Sequence, residues 1–152
     1  MIKEIIKFLV VSGWYLVLPP MLGWWLQKNR QRQRWVMAVM VFLTSAHINK
    51  FTLMLGSIEW YRGHTKGYEA SLIVTLALGL LCAGFMERAK GFRWLPPGLG
   101  WWWLYCGVSL VSFVAAPDKS YVLMAAWKFT TSGVILAAAY NFLREEEDLR
   151  WL

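Results

Sequence analysis

Five apolar stretches, separated by short loops that hold most of the charge, leave this chain few folds to choose from. They cover residues 8–26, 35–46 with a continuation toward 55, 70–86, 99–116 and 121–143. A helix that crosses a bilayer needs about 20 predominantly apolar residues, with roughly 17 to 25 tolerated. The first, third, fourth and fifth stretches meet that length. Only 16% of the chain is charged, well below the ~25% of soluble domains. Nine of the eleven tryptophans gather near the ends of the stretches, at Trp24, Trp25, Trp35, Trp60, Trp94, Trp101, Trp102, Trp103 and Trp151. Indole rings favour that level at a membrane–water interface, whereas a soluble core would have to supply each N–H with an acceptor. The expected fold is an all-α, polytopic membrane helical bundle, with residues 1–152 forming a single membrane domain.

Two stretches are irregular. The first contains Pro19-Pro20, which removes two backbone donors and kinks a helix. In lipid the freed carbonyls need protein or water partners, so this segment is either a kinked span or a re-entrant one. The second meets His47, Asn49 and Lys50, resumes with apolar residues 51–55 and stops at Gly56. It reads as part helix and part loop at the outer surface. The opening "MIKEIIK" looks like a signal-peptide n-region, but no small-residue cleavage site follows, and the segment is read as retained.

Loop charge sets the orientation. The formal charge of +7 does not point to nucleic acid, because the basic residues lie in loops between apolar stretches, where the positive-inside rule puts them. "KNRQRQR", residues 28–34, carries four basic residues and no acid; "ERAKGFR", residues 87–93, carries three and one. Both are expected in the cytoplasm. Residues 47–69 and the turn "AAPDKS" then lie outside, and the acid cluster near the C-terminus returns inside. Strict alternation puts the N-terminus outside; a re-entrant first segment puts it inside.

Signatures of catalysis are missing. The sequence has no Walker A loop, HExxH or GxSxG, and no carboxylate pair within an apolar stretch. Cys82 and Cys106 lie inside apolar stretches without CxxC spacing, reading as small lipid-buried residues, and no metal or cofactor is expected. Three polar features stand out. "YRGHTKGYE", residues 61–69, groups Arg62, His64, Lys66 and Glu69 around two glycines. It suits either a phosphate, held by a forked guanidinium and backbone N–H groups, or a plain interfacial loop. Lys128 lies within the fifth stretch, about 10 Å along a helix from Tyr121 at ~1.5 Å per residue. An ammonium at that depth either snorkels outward or faces the bundle and meets an anion. "HINK", residues 47–50, reads as a helix end or the rim of a groove. Gly79 with Ala83, and Gly133 with Ala137, are small-xxx-small pairs that would let helices approach.

The order of three segments resembles the N-terminal portion of the O-antigen ligase and polysaccharide polymerase family of bacterial membrane glycosyltransferases. "YRGHTKGYEASLIVTLALGLL" is similar to that family's short arginine–glycine–acid loop leading into a helix. "LPPGLGWWWLYCGVSLVSFVAAPDKSYVLMAAWKF" looks like its apolar helix, small-Pro-Asp turn and helix with a basic residue, which falls at Lys128. "YNFLREEEDLRWL" looks like its Asn near a helix end followed by an acid–arginine linker. The resemblance covers roughly residues 61–152.

It implies a multi-pass protein of the bacterial inner membrane that handles undecaprenyl-diphosphate-linked glycans, with Lys128, Arg62, Lys66 and Glu69 as substrate-binding candidates. Ligase and polymerase stay equally open. Family members are longer, with essential basic residues mainly in a large outer loop that this sequence lacks. No catalytic residue is therefore assigned, the chain is expected to be inactive alone, and the remaining C-terminal part of a longer protein is an expected partner besides the bilayer. The rival reading is a small non-catalytic membrane scaffold or assembly subunit acting by helix packing.

Overall fold

The computed structural model describes residues 2–45, 52–60, 64–87, 92–117, 119–143 and 146–151. The chain is mostly helical. In order come α1 (Ile2–Leu26), α2 (Arg30–Ser45), β1 (Thr52–Trp60), β2 (His64–Ser71), α3 (Leu72–Met86), α4 (Leu99–Ala115), α5 (Lys119–Phe142) and the short α6 (Glu146–Trp151).

Helix α1 is continuous through Pro19 and Pro20. The cost of the missing donors is offset by packing along α3. Trp14 Nε1 donates to Thr75 Oγ1 at 2.8 Å, and Tyr15 Oη accepts from the Ser71 amide at 3.2 Å. Farther along, a Cβ on Gly23 would stand 2.5 Å from Cys82 Cβ, and one on Gly79 would run into the Leu22 side chain. The two backbones touch only because both residues are glycine, the small-residue logic of helix association. Gly133 plays the same part between α5 and α4, facing the Trp103 and Trp102 rings.

The second apolar stretch departs from its expected form. Its helix is α2, and residues 46–51 lie outside the described residues. Residues 52–55, expected as helix or loop, belong to β1, which pairs antiparallel with β2 from Thr52↔Ser71 to Trp60↔His64. The register breaks between Leu55 and Ile58, around Gly56, as expected where glycine permits a bulge. The hairpin also shortens α3. Ala70 and Ser71, expected at the start of the third helical span, end β2, and Ser71 Oγ accepts the Val74 amide at 3.3 Å as the helix N-cap. α3 is therefore 15 residues, below span length, and α4 is 17, at its lower limit, while Ile5–Leu26 in α1 and Lys119–Phe142 in α5 are long and apolar enough to cross a membrane.

Contacts at the helix ends show how the elements run. The C-terminal ends of α1, α3 and α5 meet the N-terminal end of α2, through Lys28 to Glu87 and Arg30 to Phe142. Pro96 to Leu99, at the start of α4, line a cavity with Tyr140 and Leu143, at the end of α5. The hairpin lies at the opposite end, on the N-terminus of α3 and beside α1 and α5. Successive helices thus alternate in direction. The interior between them is filled by Leu26, Met40, Ala77, Leu81, Ala138 and Phe142. The outward surface is apolar too: Phe8, Leu9, Leu16 and Trp24 on α1, and Trp101, Leu104, Val108, Val111 and Val114 on α4, are exposed.

Candidate functional site

The densest polar arrangement among the described residues lies where α2, α3, α5 and α6 meet. Asn29 starts α2 by accepting the Arg32 amide on Oδ1 at 3.1 Å. Arg30 and Arg34 follow, four residues apart and hence on one helix face. That face receives α6. Arg34 Nε donates to Asp148 Oδ1 at 3.1 Å, and Arg30 Nη2 donates to Asp148 Oδ2. Arg34 Nη2 reaches Glu147 Oε2 at 3.4 Å, but Glu147 is 79% exposed, so that pair contributes little. Trp151 stands edge-on to Trp35, 5.4 Å between ring centroids.

Asp148 has no exposed side-chain surface. Burial pushes its pKa up, but hydrogen bonds from Arg30 and Arg34, with their charges, outweigh burial and hold it below the usual carboxylate value. The same bond raises the pKa of Arg34. Arg30 is further fixed by donating to Gln33 Oε1 at 3.0 Å and the Phe142 carbonyl at 2.6 Å, with its guanidinium 4.5 Å from the centre of the Phe142 ring.

A second set of bonds ties the helix ends together. Gln33 Nε2 donates to Glu87 Oε1 at 2.8 Å, and the Lys28 amide donates to the same oxygen at 2.6 Å. Asn141 accepts the Arg93 amide at 2.9 Å and donates to the Arg93 carbonyl at 2.8 Å. Between them lies a cavity of about 40 Å³, bordered by Arg30, Gln33, Glu87 and Asn141, with polar room for a single water. The arrangement is a lock: Arg30 and Arg34 are paired with Asp148, and Glu87 is held by the Lys28 amide and the Gln33 side chain. Among the described residues no group of three or more His, Cys, Asp or Glu could hold a metal ion.

The residues singled out from sequence lie elsewhere. Lys128 is exposed on α5, and its carbonyl accepts from Thr131 Oγ1 at 2.9 Å. Lys66 and Glu69 are on β2, opposite Ile58 and Met54; only their backbone is described. Arg62 and residues 47–50 lie outside the described residues. The neighbour of Lys128, Trp127, contacts the Tyr15 ring at 6.4 Å, and Tyr15 holds Ser71 at the end of β2. The first half of α5 and the hairpin thus share one end of the bundle.

Sequence reasoning missed the lock, although its parts were visible as arginines four apart and a late acid cluster; what the sequence lacked was the fold-back of α6. No protein-family model matches the chain, and no curated protein or solved structure matches it.

Proposed function

We propose that the chain is a multi-pass bundle of the bacterial cytoplasmic membrane, the membrane-embedded portion of an O-antigen ligase or polysaccharide polymerase-like protein that handles undecaprenyl-diphosphate-linked glycans. The observation that supports the membrane reading is the alternation of helix directions, which gathers the dense basic run of residues 28–34 at one end, while Lys66, Lys119 and Lys128 belong to the other. Lys28, Arg30, Arg32, Arg34 and Arg93 all belong to the end where α1, α3 and α5 finish, which the positive-inside rule makes cytoplasmic. The apolar faces of α1 and α4 suit lipid. The short helices α3 and α4 fit within the bundle, where mismatch is absorbed locally.

The glycan reading is supported by placement. The hairpin, with its Lys66 and Glu69 positions, and the first half of α5, with Lys128, occupy the opposite, outer end, where that family meets its lipid-linked donor. The test is a photoreactive undecaprenyl-diphosphate glycan added to membranes holding the full chain. Crosslinks should map to β2 or α5 and weaken in Lys128→Met. Crosslinking absent, or confined to α6, removes this reading. The lock supports the scaffold alternative, since its hydrogen bonds and ion pairs join helix to helix.

A further inference from the structure

The four basic residues of 28–34 divide into two pairs, and the division has a chemical meaning. Arg30 and Arg34 are turned toward α6 and neutralised by Asp148, with Glu147 at the rim. Lys28 and Arg32 are exposed. Arg32 is nonetheless held in place: Nη1 donates to the Trp25 carbonyl at 3.0 Å, and its guanidinium lies 4.8 Å from the centre of the Trp25 ring. Of the five N–H donors a guanidinium carries, this bond uses one. Trp25, 48% exposed, borders it at the end of α1, next in sequence to Trp24, which is 68% exposed. Lys28 occupies the turn between α1 and α2, its backbone in the left-handed region (φ 60°) and its amide bonded to Glu87. The result is a pre-positioned fork of donors, a second cation four residues away and two interfacial indoles, all at one level of the bundle.

We infer that Lys28 and Arg32 form a headgroup site for an anionic phospholipid of the inner leaflet, with the phosphate taken by Arg32 and the indole of Trp25 bordering the glycerol region. Guanidinium matches phosphate oxygens with two parallel bonds. Holding the side chain on Trp25 before the lipid arrives reduces the ordering cost of binding. Anionic leaflets attract juxtamembrane basic residues, and each contributes about five-fold in affinity. The site rests on the membrane reading above.

The test uses the full chain in detergent micelles, titrated with dioleoyl-phosphatidylglycerol or dioleoyl-phosphatidylcholine, with bound lipid counted by native mass spectrometry. The chain should retain phosphatidylglycerol in preference to phosphatidylcholine. Retention should fall about twenty-five-fold in K28Q/R32Q, the product of two five-fold losses, and less in Arg32→Lys, which keeps the charge and loses the fork. Lys119→Gln, at the other end of the bundle, should bind as the parent does. Millimolar inorganic phosphate should not displace the lipid. Equal retention of the two lipids, an unchanged K28Q/R32Q, or ready displacement by phosphate overturns the site. Carbonate extraction of cell membranes separates the two failures: a chain released to the aqueous phase ends the membrane reading as well, whereas a chain that stays in the membrane without lipid preference ends the headgroup site alone.

Discussion

Arg34 Nε donates to Asp148 Oδ1 at 3.1 Å, joining the second turn of α2 to α6 through a carboxylate that solvent does not reach. The two residues are separated by 114 positions, so this contact closes a loop from α2 to α6. It also sets the expected behaviour of the C-terminal helix.

Asp148→Asn removes the charge while keeping the shape. Arg30 and Arg34 then lose their shared counter-charge, and removing one partner of a covered ion pair costs more than the pair itself contributes. α6 should detach, the Trp35–Trp151 contact should be lost from the near-ultraviolet circular dichroism, and amide exchange in residues 146–151 should rise. A double-mutant cycle with Arg30→Ala should show strong non-additivity. Independent effects would mean that α6 is held by its tryptophan alone.

The same carboxylate predicts a pH dependence. Its folded pKa is lower than its unfolded one, so its contribution is complete above the unfolded carboxylate pKa of about 4. It is lost as the pH falls through the folded value. Protection of α6 against exchange should hold from neutral pH down to about 5 and fade below about 4. In Asp148→Asn that step should vanish; an unchanged acid step would assign it to other carboxylates.

Orientation is open to labelling. Gln31→Cys, exposed in the first turn of α2, should resist an impermeant thiol reagent in intact cells with a permeabilised outer membrane. Thr65→Cys, on β2, should react. Ready labelling at position 31 inverts the topology.

Gly79→Val places two methyl groups against Leu22. Overpacking of this kind costs about 1–3 kcal/mol, and the midpoint of denaturant unfolding should fall accordingly. Gly100→Ala, where an added Cβ meets nothing, should leave the midpoint nearly unchanged. Equal behaviour of the two would mean that α1 and α3 do not pack through this glycine.

The helical character of the apolar stretches was legible because apolar length is a local property. Gly79 and Ala83 were legible for the same reason, as a four-residue spacing on one helix. The hairpin was not. Leu53 and Leu55 read equally well as a continuation of α2, and the partner strand "HTKGYEAS" carries Lys, Gly and Glu, which are poor strand formers. Only its pairing with β1 reveals it. Nor was the lock legible. "REEED" looks like a solvated linker until α6 folds back onto α2, a contact that no window of the sequence contains. The candidate site at Lys128 was argued from depth in a helix and from the resemblance, and both leave open the direction its side chain takes around that helix.

The proline pair in α1 has a mechanical consequence. With no amide hydrogen at Pro19 or Pro20, the carbonyls of Tyr15 and Leu16 lose their helical donors, and the rod is most compliant in bending there. α3 spans that weak point. It grips α1 above it, through Thr75 to Trp14 and Ser71 to Tyr15, and below it, at Leu22 against Gly79 and Gly23 against Cys82. α3 therefore works as a splint. The flexural stiffness of α1 is borrowed from its neighbour, and Ser71, at the end of β2, ties α1 to the hairpin.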